Sequence, residues 1–260
     1  MSARGMRRAA GAAVVASSLL AAAASVSPAV ADHASEQART AGSAATVQAM
    51  VVGQGGQVLL GARSVTASAS SVRVGSRTCS VAAGTPLSVL AGLGLSFSVR
   101  DYGHCGSSPR NSGELFVDEL AGERNSGADG WEYKVGQVAG STGAASTSGA
   151  LGNGRMISSG QRVLWFWCQS RGGGCQRTLE VAAPGSVSRG GRLSVRVTGY
   201  ENEGHGAPVA GAVVTLGADF ATTGSGGTAT LIAPSSSGRY QLSARRSGLV
   251  PSFPATVQVR

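Results

Sequence analysis

The sequence predicts a mainly β protein: a first part that adds one short helix to its strands, then a small β-sandwich. Three observations carry this. Glycine accounts for 40 of the 260 residues, about twice ordinary usage, so turns are frequent and long helices disfavoured. Short β-branched runs recur between Gly and Ser clusters. Helical period shows in one stretch only, beside Thr85.

The elements follow in chain order. Arg4, Arg7 and Arg8, then an uncharged Ala-rich run over 9–24, then Ala29-Val30-Ala31, form the three regions of a secretory signal peptide. Residues 1–31 are therefore read as the signal, with Asp32 as the new N-terminus, and 32–45 as a disordered leader of small polar residues. Strands are expected over 47–52, 57–67 and 71–81. Thr85 can cap a helix, Pro86 suits its first turn, and Leu87, Leu90 and Ala91 share a face. Gly92 and Gly94 should end it.

Strands resume over 96–102, 115–117 and 131–138. Residues 139–154 read as a low-complexity loop of Gly, Ser, Thr and Ala. Val163-Leu164-Trp165-Phe166-Trp167 is apolar on both faces, so 161–168 should be a central strand covered on two sides. A strand over 176–181 is expected to complete this part. A Pro-Gly signal at Pro184-Gly185 marks the boundary between 181 and 188. Beyond it, short alternating runs at 193–197, 212–216, 228–232, 240–244 and 255–259 predict the sandwich.

Charge and cysteine usage narrow the function classes. The formal charge is +9. Losing the three signal arginines lowers it, and the remaining cations are scattered, with only Arg245 and Arg246 adjacent. Nucleic-acid binding would want a cationic stripe, so no nucleic acid is expected. The mature chain has no apolar run long enough to be a transmembrane segment. Four cysteines in an exported chain imply two disulfides. Cys168 and Cys175 flank a Gly-rich turn, the easiest local closure, which leaves Cys79 with Cys105. Zinc would want close C-x-x-C pairs, which are absent.

The motifs Gly84-Thr85-Pro86-Leu87, Asp101-Tyr102-Gly103, Asp129-Gly130-Trp131-Glu132-Tyr133 and Gly160-Gln161-Arg162-Val163-Leu164-Trp165-Phe166 resemble the transcobalamin C-terminal-like domain family. The resemblance covers about 46–180 and implies an α+β domain with a mixed sheet. Residues 182–260 resemble a bacterial immunoglobulin-like or carboxypeptidase-regulatory-like β-sandwich. It rests on the run 207–216, on Thr222-Thr223 with Gly227-Thr228-Ala229, and on Gly238-Arg239-Tyr240. In transcobalamin-type proteins a corrinoid lies between the β-domain and a helical barrel, and this chain contains no such barrel.

No catalytic constellation is readable. His33, His104 and His205 stand apart from any nucleophile motif, and Asp118, Glu119, Glu123 and Glu132 do not form a recognisable glycosidase pair. Lys134 is the only lysine, so the second part cannot form a Lys-based isopeptide bond. No metal or cofactor is expected. The aromatic residues are the remaining signal. Trp131, Tyr133, Trp165 and Tyr102 are the candidate ligand-binding residues, as a shallow apolar platform. Exposure of Trp131 or Trp165 would favour ligand capture, and burial of both a structural role. The expectation is a secreted, non-enzymatic ligand-binding or interaction protein of the cell envelope. Its partner would be an extracellular corrinoid, sugar or protein, and the alternative is a cobalamin-carrying module.

Overall fold

A computed structural model describes residues 43–260. The signal peptide and most of the expected leader lie outside the described residues. The chain is mainly β, and among the described residues no helix is long and apolar enough to cross a membrane.

The first half is built on a five-stranded sheet. Its strands are β1 (Ala45–Val52), β2 (Val58–Ala67), β8 (Gly130–Val135), β9 (Val138–Ala139) and β10 (Arg162–Cys168), in the order β2-β1-β10-β8-β9. Strands β1 and β10 run parallel and the other pairings are antiparallel. Strand β1 starts at Ala45, which is buried, so the leader reading ran one residue into the fold.

Two smaller sheets cover one face. One is the hairpin β3 (Ser70–Val74) and β4 (Arg77–Val81); the other joins β5 (Phe97–Asp101), β6 (Leu115–Leu120) and β7 (Glu123–Arg124). The single strand expected over 71–81 is thus a hairpin. Gly75 turns the chain at φ +58°, a conformation that glycine adopts without strain.

Helix α1 (Pro86–Gly92) forms where expected. The Thr85 side chain accepts from the Ser88 N–H, and the Ser88 hydroxyl returns to the Thr85 N–H. This reciprocal cap satisfies donors that the first turn leaves unpaired. Pro86 to Leu90 are all buried, so the helix is enclosed rather than half-exposed.

Strand β10 is central and buried on both faces, as its apolar run predicted. On one side Trp165 and Trp167 join Val47, Leu87, Leu90 and Val117 in a large cluster. On the other, Leu164 and Phe166 pack with Met50, Val52 and Val250. Val250 belongs to the second half, so this smaller cluster joins the halves.

The second half has two sheets. Strands β11 (Thr178–Ala182), β13 (Arg192–Tyr200), β14 (Gly206–Pro208) and β17 (Thr228–Ile232) form the first. Strands β12 (Ser186–Val187), β15 (Val213–Leu216), β16 (Asp219–Thr222), β18 (Gly238–Arg245) and β19 (Ala255–Val259) form the second, in the order β12-β19-β18-β15-β16. Leu179, Val195, Val197, Val214, Leu231 and Leu242 share one cluster between them. The strand expected to complete the first half is β11. It pairs instead with β13, because its apolar residues Leu179 and Val181 face the second cluster.

Both expected disulfides are present, Cys79–Cys105 and Cys168–Cys175.

The loop over 139–154 is not a solvated linker. Ala144, Ala145 and Ala150 are buried in the first cluster. The Leu87 N–H donates to Ala144 O at 2.8 Å and the Ala144 N–H to Leu115 O at 3.2 Å. Glycine is required here for close approach. A Cβ on Gly143 would collide with Gly113 O, and one on Gly140 would enter the Tyr133 ring.

Candidate functional site

Three of the four aromatic residues expected to bind ligand are core. Trp131, Tyr133 and Trp165 are 6, 4 and 1% exposed. The cross-strand register sets Tyr133 opposite Trp165 and Trp131 opposite Trp167. Their ring centroids lie 5.3 and 5.8 Å apart, the second pair edge to face. Trp131 Nε1 donates to Glu123 O at 2.8 Å, and the Tyr133 hydroxyl donates to Thr142 O at 2.8 Å. The expected platform is therefore internal packing. Alternation put these rings on one face, but only the helix, the small sheets and the glycine loop decided that this face is covered.

Tyr102 is different: it is 68% exposed and meets Phe116, itself 47% exposed, edge to face at 5.6 Å. The turn that presents it is fixed by Asp101. One carboxylate oxygen accepts from the Gly103 N–H and the other from the Cys105 N–H and Arg77 Nη2, each at 3.0 Å. Desolvation acts to raise the Asp101 pKa, but these bonds and the arginine together hold it below the ordinary carboxylate value. The pair borders a groove of 420 Å³ whose lining includes Asp118, Asp129 and Glu132. Phe116 and Glu132 also line an adjoining recess with Glu114. Burial pushes the Glu132 carboxyl above its usual range. This flank is acidic and aromatic, though Arg100 and Arg124 already occupy Asp118, at 2.8 and 3.0 Å.

The edge of β8 away from β10 pairs with β9 at Lys134 and Val135 and is capped beyond it. Asn125 Oδ1 accepts from the Trp131 N–H at 2.8 Å, and the Gly140 N–H donates to Tyr133 O at 3.0 Å. A partner strand therefore finds these two groups already bonded.

A larger concavity lies elsewhere, at the junction of the halves. It has a volume of 870 Å³, within the roughly 300–1,000 Å³ typical of ligand sites. Gln48, Met50 and Arg162 come from the first sheet, Gly61 and Ala62 from its outermost strand β2, and Gln241, Ser243, Arg245 and Thr256 from β18 and β19. Strand alternation explains the second wall: Leu242 and Ala244 point into the sandwich core while Gln241, Ser243 and Arg245 face out. Arg162 lies over the Phe253 ring at 5.5 Å and 3.5 Å from Glu180.

Lys134 braces this junction. It is 0% exposed, and its Nζ donates to Thr178 Oγ1, Tyr200 O and Glu201 O at 3.2, 3.0 and 2.7 Å. Burial pulls its pKa down to about 8, opposed by the carboxylates of Glu203 and Glu201.

Sequence reasoning missed the cleft residues. Its walls come from segments some eighty residues or more apart, so no local motif spans them. The one local signal was Gly61, a glycine inside a β-branched strand, which often marks close approach of a ligand or another backbone. A Cβ there meets nothing within 4 Å. His205 stands with Glu201 and Glu203 on an exposed loop, their ligand atoms within 4.8 Å of one another. His104 is exposed.

No protein-family model, curated protein or solved structure matches the chain.

Proposed function

We propose that the protein is a secreted, non-enzymatic binding protein of the cell envelope, with the junction cleft as its ligand site. The observation that carries this reading is a cleft of 870 Å³ lined by side chains from both halves. Ligand sites favour such junctions because two rigid walls enclose more of a ligand than one sheet face does. Two disulfides are in keeping with an oxidising compartment. A two-domain division, with a transcobalamin C-terminal-like first part and an immunoglobulin-like second part, belongs to the same proposal. Its support is the separation of the two main hydrophobic clusters and the two-sheet build of the second.

The corrinoid alternative loses its expected contact surface, because Trp131 and Trp165 are enclosed. Tryptophan fluorescence is also a weak reporter here, since no tryptophan lines the junction cleft.

Gly61→Trp tests the reading. The indole would project into open space in the cleft without meeting existing atoms near its Cβ. The full chain should sediment with purified cell-wall sacculi, and the variant should remain in the supernatant. Equal sedimentation of both would overturn the cleft as the binding site.

A further inference from the structure

We propose that the cleft takes a linear acidic polysaccharide, with Arg245 and Arg246 holding its anionic groups and Arg162 adding positive charge at the wall. This inference rests on reading the cleft as the ligand site and names the ligand class.

The charge of the concavities points to it. A neighbouring recess of 520 Å³ shares Arg245 and Pro251 with the cleft and adds Arg246. Among the described residues, no acidic side chain lines either one. The flank groove beside Tyr102 is the reverse, with Asp118, Asp129 and Glu132 in its wall. The arginines also differ in their partners. In the first half Arg77 is paired with Asp101, Arg100 with Asp118, Arg124 with Asp118 and Glu119, and Arg162, at the cleft, with Glu180 at 3.5 Å. The guanidinium groups of Arg245 and Arg246 have no hydrogen bond or ion pair among the described residues. Two adjacent cations without a counter-charge, beside a trough without acids, favour an anion.

The trough's shape and neutral lining select among anions. Two concavities bordering on the same Arg245 and Pro251 suit a chain of several units rather than a single small ion. Gln48, Gln241, Ser243 and Thr256 offer uncharged donors and acceptors matched to sugar hydroxyls. Phe253 is its one aromatic side chain and already carries Arg162, which leaves no stacking platform for nucleic-acid bases. Strand β18, in the second wall, pairs with β15 on one edge and β19 on the other, so that wall offers an extended peptide no open edge; the edge strand of the cleft is β2.

Titration calorimetry on the full chain tests this with four hexamers: hexagalacturonate, a phosphorylated mannohexaose, uncharged maltohexaose and dT6. At least one acidic sugar should bind, and whichever binds more tightly assigns carboxylate or phosphate as the anionic group. Affinity should fall about tenfold in Arg162→Gln/Arg245→Gln and fall further as salt rises. Arg73→Gln, away from the cleft, should leave it unchanged. Equal binding of maltohexaose, undiminished in the double variant, would overturn the anionic class and leave the cleft as the site. Equal binding of dT6 would overturn the polysaccharide in favour of charge alone. Acidic-sugar binding that survives Gly61→Trp would overturn the cleft itself, and no binding of either acidic hexamer would overturn the proposal.

Discussion

The two halves fill their cores by different means. In the first, a few large rings dominate: Trp131, Tyr133, Trp165 and Trp167 lie in one cluster with α1 and the loop over 139–154. In the second, small aliphatic residues alternate along regular strands, as in β13, where Leu193, Val195 and Val197 are buried and Arg192, Ser194 and Arg196 are not. Alternation lets two sheets close on each other without further devices. Large rings on one sheet face leave irregular gaps. Those gaps are closed by a capped helix, two extra small sheets, a disulfide and glycines that admit backbone against backbone. The first half should therefore fail at single, specific contacts, while the second should yield more evenly.

The largest expected effect is at the rings. Trp165→Ala should destabilise the protein by about 3–5 kcal/mol, read by denaturant unfolding. A cost below that of Leu231→Ala in the second half would break the contrast. Next is the first disulfide. It joins residues 26 apart, and removing both cysteines as Cys79→Ala/Cys105→Ala should cost roughly 3 kcal/mol. The loss should appear in the melting of the first half alone. A matching shift in protection of β13 amides by hydrogen exchange would show that the halves do not unfold separately.

Lys134 tests the tie between them. Lys134→Met strands three acceptors in the second half and should cost about 1–3 kcal/mol. The pH dependence has a definite sign. The folded group releases its proton near 8, while the unfolded one keeps it to about 10.5. The unfolded chain thus binds more protons in between, and stability should rise with pH from about 8. The rise should be read up to about 10, because Tyr133 and Tyr200, both raised mainly by burial, oppose it above that. A flat profile in wild type, or the same rise in Lys134→Met, would refute the assignment. Amine-reactive reagents should leave this lysine unmodified until the chain unfolds.

The smallest effect concerns strand β11. A fragment of residues 176–260 should melt a few degrees above one of 182–260, because only the longer keeps the strand paired with β13. Identical melting would show that β11 contributes nothing to the second half.

Local chemistry in the chain was enough to place several features. Thr85 and Pro86 set the start of α1, since a cap and a fixed φ act over a single turn. The Gly-rich turn brought Cys168 to Cys175, and the two-sided apolar run placed β10 in the middle of its sheet. Each depends on neighbours within a few residues. Tertiary structure decided the rest. The rings of Trp131 and Trp165 follow the same period whether they face solvent or core, so alternation alone could not tell a platform from a packed interior. The loop over 139–154 carries no hydrophobic period, and its order comes from backbone bonds to Leu87 and Leu115 far away in the chain. Strand β11 joined the second half because its apolar face met a cluster built mostly later in the sequence. The cleft followed from the same cause: Gln48 and Arg162 are already opposite each other across β1 and β10, but Arg245 joins them only when the two halves dock, and no spacing in the chain encodes that meeting.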